Sequence, residues 1–419
     1  MMPNFGYTVL GFGAGKGDVP IAEDLTFSEV SDIADVQDDI FFALDPFNEN
    51  RCLLVYRDDG TYGNDTQVVC GTLAADGNSI TWGTVVEYDD EYGDVGSVDF
   101  DPNVENSFCL VGKFRVSNAH HHGARAGTIS GTTITLGSTV YLDWATASDY
   151  ISGTTGKFNP AQAGQFIVVD GNFDGANGGG DYNQGEIKVL TISGTTITHV
   201  SSAIFEPIST FNPRIEWDNV TANKGYLVFA GGSNYPAVRP FTMSGNTVTL
   251  GTKHVVNSST SNTYQMGTCM ETGGRLAVIY KTGNDIDVVI GNDDSTAASG
   301  TITWGTAVEV ANYSTEGSHL LLYPTVCADK NTANKLLMGY NIPVSGSSSR
   351  WRVGTVSGTN TISIAGGYTH ILASTATPDI NKNIVSDPHN PGLFYTSHSH
   401  TGDSSKPKIV GSQVASFEL

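Results

Sequence analysis

The sequence is poor in charge, cysteine and basic residues. Only 15% of its 419 residues are charged, and 21 Lys and Arg face 43 Asp and Glu, for a net charge of −22. A field of that sign repels polyanions, and no basic patch with interleaved aromatics offsets it. Nucleic-acid binding and adhesion to anionic membranes are therefore discarded. No stretch approaches the ~20 apolar residues that span a bilayer. The opening MMPNFGYTVLGFGAGKGD has no basic segment followed by an apolar one. It is read as lacking an ordinary secretion signal, with release by cell lysis inside a particle as the expected route outward.

The five cysteines, Cys52, Cys70, Cys109, Cys269 and Cys327, are odd in number and show no C-x-x-C or Cys/His metal spacing. Cys52 and Cys109 lie in apolar runs, so buried thiols are expected. The G-x-S-x-G, H-E-x-x-H and phosphate-loop motifs are missing. A helical 3.6-residue period of useful length is missing as well.

What is abundant is glycine, 49 residues, together with Ser, Thr, Val and Ile, while 39% of the chain is apolar. That mixture favours short strands joined by tight turns. The hexapeptide SGTTIT occurs at Ser130–Thr135 and again at Ser193–Thr198. Related segments place an apolar residue at Ile80, Ile134, Ile197, Val248, Ile302 and Ile362, with Leu25 as an earlier copy. A second landmark is a turn residue before a strongly apolar run: Asp45, Asp101, Asn159, Asp218, Glu271, Asp329 and Asp387. Its spacings are 56, 58, 59, 53, 58 and 58. Two landmarks thus agree on seven units.

Each unit reads as four strands, A to D. The Asp-type turn joins A to B, and a Ser-Gly turn joins C to D. A repeated four-stranded meander of this length is the signature of a β-propeller blade. The N-terminal unit has only a strand D, and the C-terminal unit only A, B and C. The expected fold is all-β: a single seven-bladed β-propeller of four-stranded blades, closed by an N-terminal strand that completes the last blade. Approximate blades are 38–87, 95–141, 154–204, 213–256, 264–310, 321–371 and 382–415, the last with strand 22–30.

The A–B and C–D turns emerge on one face and are nearly uniform, which marks it as scaffold. The B–C and D–A connections on the other face vary, so binding is expected there. The candidates are Arg57, His120, His121, His122, Trp144, Tyr150, Asp174, Tyr182, Tyr235, Arg350, His398 and His400. His120–His122 and the His398/His400 pair could hold a transition metal. They fall in different blades with no Cys nearby, so exposed loop histidines are expected instead. Asp170, Asp174 and Asp181 lie in a Gly- and Asn-rich stretch whose oxygens suit calcium, without an EF-hand spacing. No cofactor is otherwise expected.

AADGNSITW at Ala74 is similar to the aspartate box of sialidases, but Asp76 and Gly77 are adjacent where that pattern has a residue between. Arg57, Arg115, Arg125, Arg239 and Arg350 spread over four blades rather than forming a triad. A non-enzymatic protein is expected, with a carbohydrate-active propeller enzyme or a bacterial lectin-like surface protein as the alternatives.

The modules GTISGTTITLGSTV at Gly127, SGTITWGTAVEV at Ser299 and GTLAADGNSITWGTVVE at Gly71 resemble repeats of virion proteins of tailed phages, especially those of marine bacteria. The resemblance covers almost the whole chain. It implies a tail, fibre or capsid-appendage protein that sits in the virion. Its partners would be other virion proteins, a host-surface glycan or receptor, or further copies of the chain. No catalytic residue carries over.

Overall fold

The computed structural model describes residues 25–26, 36–58, 66–74, 79–89, 94–116, 119–142, 150–173, 184–232, 235–258, 265–317, 321–342, 348–365, 369–370, 378–400 and 407–413. These residues form seven antiparallel sheets, each with its strands side by side as A-B-C-D. Blade 1 comprises Val36–Leu44, Arg51–Asp58, Thr66–Leu73 and Ile80–Trp82. Blade 2 comprises Asp94–Phe100, Ser107–Val116, Ala119–Ser130 and Thr133–Leu136. Blade 3 comprises Tyr150–Phe158, Gln165–Phe173, Gly185–Ser193 and Thr196–Glu206. Blade 4 comprises Phe211–Trp217, Lys224–Ala230, Pro236–Ser244 and Thr247–Leu250. Blade 5 comprises Met266–Met270, Arg275–Thr282, Asp285–Asn292 and Thr303–Trp304. Blade 6 comprises Leu322–Ala328, Lys335–Ile342, Ser348–Ser357 and Thr361–Ile364. Blade 7 comprises Pro378–Ser386, Leu393–His400 and Pro407–Gln413, and its fourth strand is Leu25–Thr26, which pairs with Gly411 and Val410.

The apolar surface explains the ring. Strand B lies mid-sheet with another blade on each side, so both its faces are buried; Lys224–Ala230 is buried throughout. That is why these strands read as continuous apolar runs rather than alternating ones. Seven hydrophobic clusters form, one between each pair of adjacent blades. Ile129 and Ile134 of blade 2 pack on Leu53 and Val55 of blade 1. Tyr395 of blade 7 packs with Leu54 and Tyr56 of blade 1, so the last blade meets the first. The inner strand of blade 7 likewise packs against those of blades 6 and 1. The chain is a seven-bladed β-propeller.

The recurring Ser-Gly pair makes the C–D hairpin. Ser130 pairs with Thr133, leaving Gly131 and Thr132 as a two-residue loop, and Gly131 has φ 62°. A positive φ at the first loop residue marks a type II′ turn, whose twist matches the strands. Gly194 and Gly245 repeat it, with φ 59° and 56°.

The second recurring glycine has another purpose. Strand D is not one strand in blades 1, 2, 4, 5 and 6; it breaks and resumes against strand C, as at Val140–Tyr141. The break falls at Gly83, Gly137, Gly251, Gly305 and Ala365, whose N–H groups bond back to strand C. A Cβ on Gly137 would lie 1.9 Å from the Thr195 carbonyl oxygen in the next blade's hairpin, and one on Gly305 would lie 1.9 Å from that of Asn360. Blade 6 carries Ala365 at this place, and the outer strand of the next blade is the N-terminal Leu25–Thr26. Blade 3 has no glycine there. Its strand D stays continuous through a register shift at Val189/Leu190, and the Ser201 hydroxyl bonds the Asn246 carbonyl 2.6 Å away.

Gly131→Ala meets no atom within 4 Å but retains a left-handed backbone, whereas Gly137→Ala collides with a neighbouring blade. We expect a loss of about 1 kcal/mol for Gly131→Ala and roughly 2–3 kcal/mol for Gly137→Ala, read as urea midpoints. Equal midpoints for the two variants would refute the inter-blade role of Gly137.

Candidate functional site

Each A–B turn residue captures main-chain N–H groups just beyond it. Asp329 accepts from Asn331 at 2.8 Å and Thr332 at 3.2 Å, and Asp387 from His389 at 2.8 Å and Asn390 at 3.0 Å. The second oxygen commonly crosses to the next blade. Asp101 accepts from Gly164 at 2.8 Å, Glu271 from Asn334 at 2.6 Å and Asp329 from Gly392 at 2.7 Å. Gly164, Asn334 and Gly392 all have positive φ, which turns their N–H groups toward the preceding blade. Elsewhere the turn side chains provide the bridge. Asn219 bonds the Glu271 carbonyl at 2.8 Å, and His389 bonds that of Asp45 at 3.0 Å. The turns of this face are stitched from blade to blade.

The inner strands line a central channel with a cavity of about 520 Å³. Strand A has no strand partner on its channel side, so its edge groups need other partners. Side chains four residues before the turn supply several. Ser97 accepts from the Gly156 N–H at 2.9 Å, Thr155 donates to the Pro213 carbonyl at 3.0 Å, and Arg214 Nε to that of Met266 at 3.1 Å. Two residues before the turn lies a charged layer. Asp99 accepts from the Phe158 N–H at 2.9 Å, and Lys157 pairs with Glu216 at 2.7 Å. Across the channel the same positions are Cys269 and Cys327.

Burial pushes the Asp99 carboxyl up to about 6, against the Phe158 N–H and the positive charges of Lys157 and Lys330. It likewise pushes Cys327 up to about 11 and Cys269 well above its usual value. Burial disfavours the Lys157 charge, but Glu216 more than compensates and its pKa is raised. Sequence reasoning overlooked this layer. Its signal is positional: the residue two before each turn acid faces the channel.

The histidines are not loop residues. Strand B of blade 2 runs to Val116 and strand C starts at Ala119, so His120, His121 and His122 lie on strand C, with His120 paired to Arg115. His121 is buried, its ring centroid 5.4 Å from that of Tyr141. His122 is fully buried, and its Nδ1 lies 3.0 Å from Asp170 Oδ2 in blade 3. Asp170 also pairs with Lys188, which lies 2.9 Å from Glu186. Burial would raise the Asp170 pKa, but Lys188 and His122 outweigh it and hold the carboxyl well below its usual range. Asp170, one of the three calcium candidates, is thus engaged by His122 and Lys188. Asp174, Asp181, Tyr182 and Trp144 lie outside the described residues. Tyr150, His398 and His400 are placed by backbone pairing alone, with Phe173, Lys408 and Pro378. The last two therefore lie on strand B, not in a loop. Among the described residues no group of three His, Cys, Asp or Glu converges as a metal site.

The arginines are drawn into the frame. Arg125, Arg239 and Arg352 occupy the same place on strand C in blades 2, 4 and 6, and donate to the carbonyls of Tyr88, Phe205 and Val310 in the preceding blade. Arg350 is half-buried against Glu316, which also accepts from Tyr340 at 3.0 Å. Arg57 and Tyr235 are half-buried at strand ends. No arginine triad forms among the described residues.

No family model matches the chain, and no curated protein matches it. Solved structures share its fold. A lectin from Burkholderia pseudomallei matches with TM-score 0.60 at 8% identity, over 91% of this chain and 97% of its own. A putative 6-phosphogluconolactonase from Bacteroides fragilis matches with TM-score 0.54 at 9% identity, over 81% and 86%. Chaetomium thermophilum Sqt1, bound to the N-terminus of a ribosomal protein, matches with TM-score 0.52 at 9% identity, over 90% and 86%. Proteins described as differently as these thus share one architecture, and at these identities the likeness is one of fold.

The raised Asp99 pKa has a definite sign for stability. The folded state holds the proton more tightly than the unfolded chain, so stability falls as pH rises from about 4 to 6. Asn keeps an acceptor for the Phe158 N–H without the charge. Asp99→Asn should therefore stabilise the protein at pH 7.5, by about 1–3 kcal/mol, with the gain vanishing near pH 4. Urea unfolding at both pH values checks this; a gain that persists at pH 4 contradicts the assignment.

Proposed function

We propose that the chain is a non-enzymatic structural or adhesion protein of a tailed-phage virion. Its variable-loop face docks other virion subunits or binds a host-surface glycan or receptor. The observation that carries the non-enzymatic part is the fate of the charged side chains. Arg125, Arg239 and Arg352 bond neighbouring main chain, Arg350 faces Glu316, and His122 and Lys188 face Asp170. They support blade contacts rather than converge on a substrate. The Ser-Gly-Thr module that resembles phage virion repeats supports the virion assignment, and the fold shared with a lectin is compatible with glycan binding. The alternative, a carbohydrate-active enzyme, draws on Asp99 and Glu216 in the channel. Glu216 is held by Lys157 at 2.7 Å, which argues against its acting as a poised acid or base.

Immunogold labelling of purified virions with antibody to this chain should decorate the particles at one location. Unlabelled particles would remove the virion assignment. In parallel, incubation with polysaccharides and sialosides should release no product. Turnover abolished by Asp99→Asn would favour the enzyme.

A further inference from the structure

The geometry points to a binding site in the central channel for a compact, hydroxylated carboxylic acid of the size of a monosaccharide acid. This inference stands apart from the virion reading and concerns a different part of the molecule.

Arg214 is the centre of the site. Arg51, Arg275 and Arg350 each face a carboxylate, and Arg125, Arg239 and Arg352 donate to main-chain carbonyls through their terminal nitrogens. Arg214 bonds only through Nε, to Met266, and its side chain lines the channel. Among the described residues neither of its Nη atoms has an acceptor. Glu216, two residues along the same strand, is engaged by Lys157. A guanidinium presents its donors as a planar fork that matches a carboxylate. That fork is left open to the channel, and burial lowers the Arg214 pKa against the opposing charge of Glu216.

The surroundings suit the same ligand. Lys157 keeps 41% of its side chain exposed, and Lys330 is an exposed ammonium at the channel mouth, one residue past its turn acid. The lining therefore holds three cations, Lys157, Arg214 and Lys330, against three carboxylates, Asp99, Glu216 and Asp329. Over the whole chain acids outnumber bases 43 to 21. All three carboxylates are engaged, Asp99 by the Phe158 N–H, Glu216 by Lys157 and Asp329 by three main-chain N–H groups. The unengaged capacity is thus cationic. About 520 Å³ falls within the ~300–1,000 Å³ of small-molecule sites and favours a single sugar-sized ring. Strand-edge groups around the channel serve hydroxyls, while Phe41, Ile215, Cys269 and Cys327 offer an apolar wall.

Acidification should strengthen binding. Asp99, raised to about 6, loses its negative charge beside Lys157, Lys330 and Glu216, while Arg214 stays cationic and the Cys269 and Cys327 thiols stay neutral.

The test is calorimetric titration of the full chain with D-glucuronate, with D-glucose as the neutral comparator and sulfate as a generic anion. Glucuronate should bind at least about tenfold more tightly than either, and more tightly at pH 5.5 than at pH 7.5. Arg214→Gln should weaken it by about tenfold or more, and Lys330→Gln by a few fold. Lys281→Gln, on a hairpin outside the channel, should change nothing. If circular dichroism shows that Arg214→Gln does not fold, Lys330→Gln decides. An oligoglucuronate distinguishes the source: equal or tighter binding identifies the end of an acidic polysaccharide, and its exclusion identifies a free acid. No heat with glucuronate, parity with glucose or sulfate, or parent affinity in the folded variants overturns the proposal.

Discussion

The structure depends on one small arrangement, an acceptor side chain at the A–B turn that binds its own turn and reaches the next blade. Isolated four-stranded sheets have two apolar faces and no means to bury either. The hydrophobic clusters supply the attraction between blades but little directionality. The turn bonds supply angle and register. Asp101 to Gly164, Glu271 to Asn334 and Asp329 to Gly392 fix blades 2, 5 and 6 against their successors at the level of the main chain. Charge-assisted bonds in partly buried surroundings are strong enough to hold that geometry. Where an acid is replaced, as at Asn159, the amide reaches the next blade as a donor instead, to Asn223 Oδ1 at 2.9 Å.

This explains what was legible in the sequence. The turn acid, the apolar run behind it and the Ser-Gly hairpin are local features, each set by neighbours within a few residues. They repeat visibly because each blade solves the same local problem. Ile134 could be assigned to a blade interface from its place after the hairpin alone. His122 could not be placed: its partner Asp170 lies 48 residues away in the next blade, and only the packing of adjacent sheets brings them together. His398 and His400 were misread because polar Ser and His residues prolong a strand past its apolar run. The channel layer escaped notice because Asp99, Lys157 and Glu216 stand in strands whose composition looks ordinary. Their significance comes from symmetry, which counts positions back from the turn.

The charged groups divide by depth. In blades 2, 4 and 6, arginines on strand C tie one sheet to the preceding one. Along the axis, charges face one another across blades 2, 3 and 4, while thiols and apolar groups occupy the same layer in blades 5, 6, 7 and 1. A seven-fold frame thus carries an axis that is not seven-fold. The repeats fix the frame, and the channel residues can vary because nothing in the blade contacts requires them to match.

The clasp of the ring shows how little covalent order matters here. Among the described residues Leu25–Thr26 pairs two residues with blade 7, yet the apolar contacts on both sides of that blade resemble those elsewhere in the circle. The same circle could be written starting at almost any D–A connection with its strand pairs kept.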